Sequence, residues 1–243
     1  MPVSELSKRL GSTLIFALIL LVAIIPSSSQ PIKVEEISKY SMEVTVTDSA
    51  HVRNEITLRN LIDKPLVPGI GEIRLQKVHP VKLFIFYIPF TEEREPVEVS
   101  EVKAYSGKTI INTRVEQNSE YTSIYYEIWH PIEPGKEYTF TIEFDADIVE
   151  KGLLFKTIKI PVGSDVDIRD LKIDIYSDWK LTYAEPKMEG SWSAAIPANH
   201  IAFFTAEFSI IPLPELPVQG YILFWTLVIV LMVLVAIPIW RKR

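Results

Sequence analysis

The sequence predicts an all-β protein: one or two antiparallel β-sandwich domains followed by a single C-terminal transmembrane helix. Three observations carry that class. Apolar and polar residues alternate at every second position in the clearest runs of residues 36–211, where helical periodicity is nearly absent. Short clusters of turn-forming residues separate those runs. The block Tyr221 to Trp240 holds twenty residues without a charge, enough at ~1.5 Å each to cross a ~30 Å hydrocarbon layer.

The chain begins with Lys8 and Arg9, an apolar run from Thr13 to Ile25, and Pro26-Ser27-Ser28-Ser29-Gln30. A basic region, a short apolar core and a small-residue exit describe a secretory signal peptide over 1–29, with Ser27 and Ser29 at −3 and −1 of a cut before Gln30. An uncleaved N-terminal anchor is the alternative. Either reading addresses the chain to export.

Within the exported part, Tyr40, Met42, Val44 and Val46 alternate with Ser41, Glu43, Thr45 and Thr47. Val52, Ile56 and Leu58 form the partner strand across the turn Asp48-Ser49-Ala50. The run Val81 to Ile88 is nearly all apolar and reads as a central strand. Val97 to Tyr105 and Lys108 to Glu116 flank Ser106-Gly107 as a hairpin. Tyr121 to Trp129 follows, and then Tyr138, Phe140, Ile142 and Phe144 alternate cleanly with polar neighbours. Ile32 to Lys39 is the one stretch expected to form a short helix. These runs place a first sandwich over 36–150. A boundary near Glu150 to Gly152 leads to a smaller β-domain over 153–211, which would complete itself against the first.

Residues 212–219 follow, in a segment where Pro212, Pro214 and Pro217 favour extended polyproline II geometry and a semi-rigid stalk. The predicted membrane helix occupies 221–240, with Tyr221 and Trp225 near one end and Trp240 at the other, as interfacial aromatics are placed. The tail 241–243 is Arg-Lys-Arg, which marks the cytoplasmic side and leaves the bulk of the chain extracytoplasmic in a single-pass arrangement.

The chain carries 25 Lys and Arg against 31 Asp and Glu. Setting aside Lys8, Arg9, Glu5 and the three tail residues leaves 20 against 30, so the outer region is near −10. That balance opposes nucleic acid as a partner. No cysteine is present, which removes thiol catalysis, disulfides and Cys-zinc sites.

No catalytic, cofactor-binding or metal-binding residue is assigned from the sequence. His51, His79, His130 and His200 lack metal-ligand spacing. Asp165, Asp167 and Asp170 form the regular acidic cluster and could offer oxygens to Ca²⁺, but three carboxylates in one loop are insufficient for an ion that wants six to eight ligands, and Arg169 opposes them. A solvated turn is the plainer reading. Tyr121, Tyr125, Tyr126 and Trp129 suggest an aromatic stripe for a sugar or partner, with core packing as the alternative. No Gly-x-Ser-x-Gly, His-Glu-x-x-His or phosphate loop occurs.

Ile56-Thr57-Leu58-Arg59-Asn60 with Pro65 and Pro68, then Pro131-Ile132-Glu133-Pro134-Gly135-Lys136 leading into Tyr138 to Phe144, resembles the export-side β-sandwich of uncharacterised archaeal type I membrane proteins. More distantly it is similar to the luminal part of ribophorin, a noncatalytic oligosaccharyltransferase subunit. The resemblance implies fold and topology, and no residue role comes with it. Together these readings lead to an expected function: a noncatalytic binding or scaffold subunit of a cell-envelope membrane complex, touching lipid through its C-terminal helix and a protein partner through its outer domain. The alternative is a carbohydrate-active enzyme or glycosyl-transfer accessory protein whose site forms only in three dimensions.

Overall fold

The computed structural model describes residues 33–79, 82–83, 86–87 and 93–241. The expected signal peptide, 1–29, and Lys242 and Arg243 of the tail lie outside the described residues.

A hairpin founds the architecture. β1 (Glu35–Val46) and β2 (Ala50–Asn60) pair antiparallel across a turn in which the Thr47 amide donates to the Ser49 carbonyl at 2.9 Å. β3 (Gly69–His79), β4 (Lys82–Leu83), β5 (Phe86–Tyr87), β6 (Glu93–Pro96), β7 (Val99–Ser106), β8 (Thr109–Ile111) and β9 (Thr113–Gln117) follow. β10 (Thr122–Ile128), β11 (Glu137–Ala146), β12 (Val149–Lys151), β13 (Phe155–Ser164) and β14 (Ile168–Ser177) come next. The chain then forms β15 (Lys180–Glu185), β16 (Trp192–Ile196), β17 (His200–Ser209) and one helix, α1 (Gly220–Arg241).

Seven strands make the largest sheet, sheet I, in the order β16-β14-β1-β2-β11-β7-β8. Sheet II is β6-β3-β10-β9 and sheet III is β12-β13-β17-β15. Period-2 alternation sorts sheet I into two faces. Leu171, Tyr40, Ile56 and Phe140 form one row across four strands, and Ile175, Val44, Val52 and Phe144 another. All eight are buried, and burying each large apolar side chain contributes roughly 1.5–3 kcal/mol. The opposite face is a charged ladder: Arg53 reaches Glu143 at 3.1 Å, Glu43 at 3.4 Å and Glu55 at 3.7 Å. Sheets II and III cover the apolar face. Tyr126 of β10 meets Phe140 with ring centroids 5.1 Å apart, and Phe204 of β17 meets Trp192 of β16 at 5.3 Å. Residues of all three sheets join one buried cluster.

The boundary expected near Glu150 to Gly152 falls between two paired strands, β12 and β13. Residues 153–211 do not close on themselves: β14 pairs parallel with β1, and β16 extends the same sheet. Residues from Lys33 onward form a single compact unit. Composition could not disclose this, because a parallel partner so distant in sequence leaves no turn signal between the strands.

Three further expectations change. Of the predicted short helix over Ile32 to Lys39, Ile32 lies outside the described residues and Glu35 to Lys39 instead begin β1, where Glu35 pairs with Asn60 and Ile37 with both Leu58 and Ile168. Sheet pairing on both sides outweighs a helix propensity worth at most a few tenths of a kcal/mol per residue. The predicted strand Lys108 to Glu116 breaks at Asn112, so β8 stays in sheet I while β9 crosses to sheet II. In the run read as a central strand, Lys82 pairs with Tyr87 and Leu83 with Phe86, a small two-stranded ladder of its own.

The segment over 212–219 is not a projecting stalk. The Leu216 amide donates to the Thr182 carbonyl at 2.7 Å, which lays the segment against β15. Its prolines exclude helix, yet an extended chain can still fold back and spend one amide on a sheet edge. Helix α1 then begins. Among the described residues no helix is long and apolar enough to cross a membrane; the side chains described in α1 run from Gly220 to Leu234.

Candidate functional site

The junction between sheet III and α1 gathers three hydrogen-bond donors on one buried carboxylate. Glu207 occupies the outward phase of β17, with Thr205 and Phe203, and would ordinarily face water. It is instead fully buried. The Gly220 amide donates to Glu207 Oε1 at 2.7 Å, and the Tyr221 amide donates to Oε2 at 3.3 Å. Thr182 Oγ1 donates at 3.3 Å to Oε1 and lies 3.2 Å from the Glu207 carbonyl.

The first amides of a helix have no partner within the helix, and its N-terminus carries partial positive charge. No acidic residue lies in the first turn of α1. Glu207 therefore supplies the cap from the sheet. A β-carbon on Gly220 would meet the Phe155 ring at 2.7 Å and Glu207 Oε1 at 3.0 Å, so glycine permits the close approach. Phe155 is buried here, apart from the main core cluster. The arrangement fixes where α1 starts relative to the sandwich. Thr182 and Glu207 are both fully buried there.

In sheet I, at the start of β1, a second carboxylate is withdrawn from water. Glu36 is almost completely buried. Arg169 Nε donates to Glu36 Oε2 at 2.5 Å, and Arg59 Nη1 lies 3.7 Å from Oε1. Beside it, Glu35 is half-buried, and burial followed by the charge of Asp165 raises its pKa. Tyr40, buried and donating to Asn54 Oδ1 at 3.0 Å, is raised well above the usual phenol range, by burial first. Burial also pushes Tyr126 up to about 12.

The acidic cluster does not converge. Asp167 accepts from Lys33 Nζ and, at 2.9 Å, from the Ala198 amide. The Lys33 hydrogen bond, then the Ala198 amide, lowers its pKa. Asp165 accepts from Ser164 Oγ at 3.3 Å, and Asp170 is exposed. Among the described residues no three His, Cys, Asp or Glu side chains are grouped to hold a metal ion. The histidines are scattered too. His51 Nδ1 lies 2.7 Å from Asp145, His130 packs on the Tyr138 ring, and His200 contacts the Ala198 carbonyl.

The aromatic stripe divides by phase. Tyr126 turns into the core, while Tyr121 and Tyr125 face out of sheet II. The guanidinium of Arg74 sits 4.3 Å from the Tyr121 ring centre and that of Arg114 lies 5.0 Å from Tyr125. One face of each of these half-buried rings is thus taken by a cation, which leaves less surface for stacking a sugar. Trp129 is exposed and donates to Glu127 at 3.2 Å. A cleft of about 410 Å³ beside β16 is lined by Pro186, Lys187, Trp192, Ala202 and Phe203 among others, and contains none of the residues singled out above from the sequence.

Sequence reasoning missed Glu207, Thr182 and Gly220. One signal was present: Ile201 and Phe203 share the phase of Glu207, so the outward face of β17 is not purely polar. Nothing in the alternation said which element would cover it.

No protein-family model matches the chain. Over 125 residues it is 42% identical to the uncharacterized protein MJ1395 of Methanocaldococcus jannaschii, covering 51% of this chain and 92% of that protein. Among solved structures, a nutrient-binding candidate from Legionella pneumophila aligns at TM-score 0.43 and 8% identity, covering 74% of this chain and 68% of the other. Native yeast LTA4 hydrolase aligns at TM-score 0.41 and 11% identity, covering 77% of this chain and 32% of the enzyme. No activity follows from likenesses at that level.

Proposed function

The chain belongs to the family of the Methanocaldococcus jannaschii protein MJ1395, and from that premise we propose that it is a membrane-anchored extracytoplasmic β-sandwich acting as a noncatalytic binding or scaffold subunit of a cell-envelope complex. The carrying observation is the seat of α1 on Glu207. A tether that only retains a domain at a surface needs no defined angle. Here a buried carboxylate, a glycine chosen for close approach and a returning proline segment hold the helix start against the sheet. Such coupling suits a subunit that presents its outer surface in a set orientation. The uncharged stretch Tyr221 to Trp240 supports the membrane as the medium, and Arg241 to Arg243 support a cytoplasmic C-terminus.

The test is purification of the full chain from native membranes in mild detergent after brief crosslinking, with mass spectrometry of what comes with it. A reproducible protein partner at near-stoichiometric yield is expected. Recovery of the chain alone at native abundance defeats the subunit reading. Extraction of the intact chain by alkaline carbonate defeats the anchor.

A further inference from the structure

Next to the first turn of α1 the protein displays apolar side chains that the chain itself leaves uncovered. Leu153 is 87% exposed and Ile210 is 60% exposed. Ile211 and Val218 are exposed as well. These positions adjoin. The Ile210 amide and Ser209 Oγ both donate to the Leu154 carbonyl at 3.2 Å. Phe155, two residues after Leu153, packs where a β-carbon on Gly220 would sit. The tip between β12 and β13, the end of β17 and the start of α1 therefore share one end of the molecule.

We propose that Leu153, Ile210 and Ile211 form an interfacial contact with the lipid bilayer, so that the sandwich rests on the membrane beside its helix. The proposal rests on the reading of α1 as a membrane helix. Its occupant is chosen by continuity. Exposed apolar side chains recur along the chain from Ile210 and Ile211 through Val218 to Tyr221 and Ile222 of α1 itself, with Glu215 the one charged residue between Ile211 and α1. A helix start held by Glu207 cannot swing away from the sheet, so bringing α1 to the bilayer brings Leu153 with it. The surroundings limit the depth. Lys151 and Lys180 are exposed near the strip, and Asp48, 3.3 Å from Lys156 Nζ, is exposed at the same end. Charged groups stay in the headgroup layer while apolar tips reach the acyl boundary just beneath it.

The absence of cysteine makes the test direct. Single variants Leu153→Cys, Ile210→Cys, Ile201→Cys and Leu227→Cys of the full chain, each carrying an environment-sensitive fluorophore, are reconstituted into phosphatidylcholine vesicles with nitroxide lipids labelled near the headgroup or deep in the chain. Ile201, the second residue of β17, lies roughly 30 Å at ~3.3 Å per residue from Ile210, which follows the end of that strand. Labels at 153 and 210 are expected to shift to the blue and lose intensity with the shallow nitroxide. The label at 227 is expected to lose intensity with the deep one, and that at 201 with neither. Lipid contact at 227 with 153 and 210 as aqueous as 201 overturns the contact and leaves the anchor standing. An aqueous label at 227 overturns both. A blue shift at 153 without quenching by either lipid means that protein covers the strip, and also overturns the proposal.

Discussion

Glu36 and Glu207 are both withdrawn from water, at opposite ends of the sandwich, and they are satisfied by different physics. Glu36 lies at the start of β1 between two guanidinium groups, and its Oε1 has no hydrogen-bond partner. Glu207 lies near the end of β17, beside the Lys156 that reaches the Thr47 carbonyl after β1. It receives two helix amides and a hydroxyl, all neutral donors. The first end depends on opposite charge. The second depends on dipoles already oriented by the backbone. A buried ion pair offsets a large desolvation cost and leaves a costly orphan when one partner goes. A capped helix end needs an acceptor oxygen more than it needs a charge.

The largest expected effect breaks the ionic end. Arg169→Ala leaves Glu36 with only the more distant Arg59 and should cost about 2–3 kcal/mol, less than a wholly dry pair because the Arg169 side chain is itself exposed and screened by water. Denaturant unfolding of the full chain in detergent reads this, and a loss under about 0.5 kcal/mol would show that the pair is already solvated. Gly220→Val follows, at roughly 1–3 kcal/mol, because its side chain must displace Phe155 or Glu207. Faster protease cleavage within 211–219, with the rest of the sandwich unchanged, is the sign expected.

A smaller pair of changes sharpens the contrast. Glu207→Gln keeps an acceptor oxygen and should cost under about 1 kcal/mol, while Glu207→Ala strands the donors and should cost about 1–2 kcal/mol. Glu36→Gln should be worse than Glu207→Gln, since it deprives two guanidinium groups of their counter-charge. Equal costs for the two glutamines would erase the distinction.

The smallest effects are read against pH. Asp167 is held below its ordinary pKa by Lys33 and the Ala198 amide. Its contribution is present above the ordinary carboxylate pKa and lost as pH falls through the lowered value. Asp167→Asn should therefore lower the melting temperature at neutral pH and flatten its decline in acid. Glu35 has the opposite sign, being raised by burial and by Asp165. Its ionisation opposes folding, so Glu35→Gln should raise the melting temperature at pH 7 and change little at pH 4.

Much of the β architecture was legible. The alternation of Tyr40 to Val46 and Tyr138 to Phe144 names residues that the core buries, with Tyr138 alone half-buried against it. Period-2 patterning reports which face is apolar, because side chains alternate whatever lies next to the strand. It does not report who the neighbour is. The parallel pairing of β1 with β14 joins residues more than a hundred positions apart, and it turned an expected second domain into part of the first sheet. The junction was illegible for a related reason. Glu207 has the phase of a solvent-facing residue and acquires its role only when α1 arrives.

By itself the sequence determined an all-β class, the strand faces, an acid-rich cysteine-free β region and an uncharged C-terminal stretch, since these depend on local pattern and composition. Tertiary structure alone decided the strand order, the return of the proline segment to β15 and the burial of Glu36 and Glu207. Each of those requires two distant segments to meet. A chain's own periodicity carries no record of which partner supplies the missing hydrogen bond or charge.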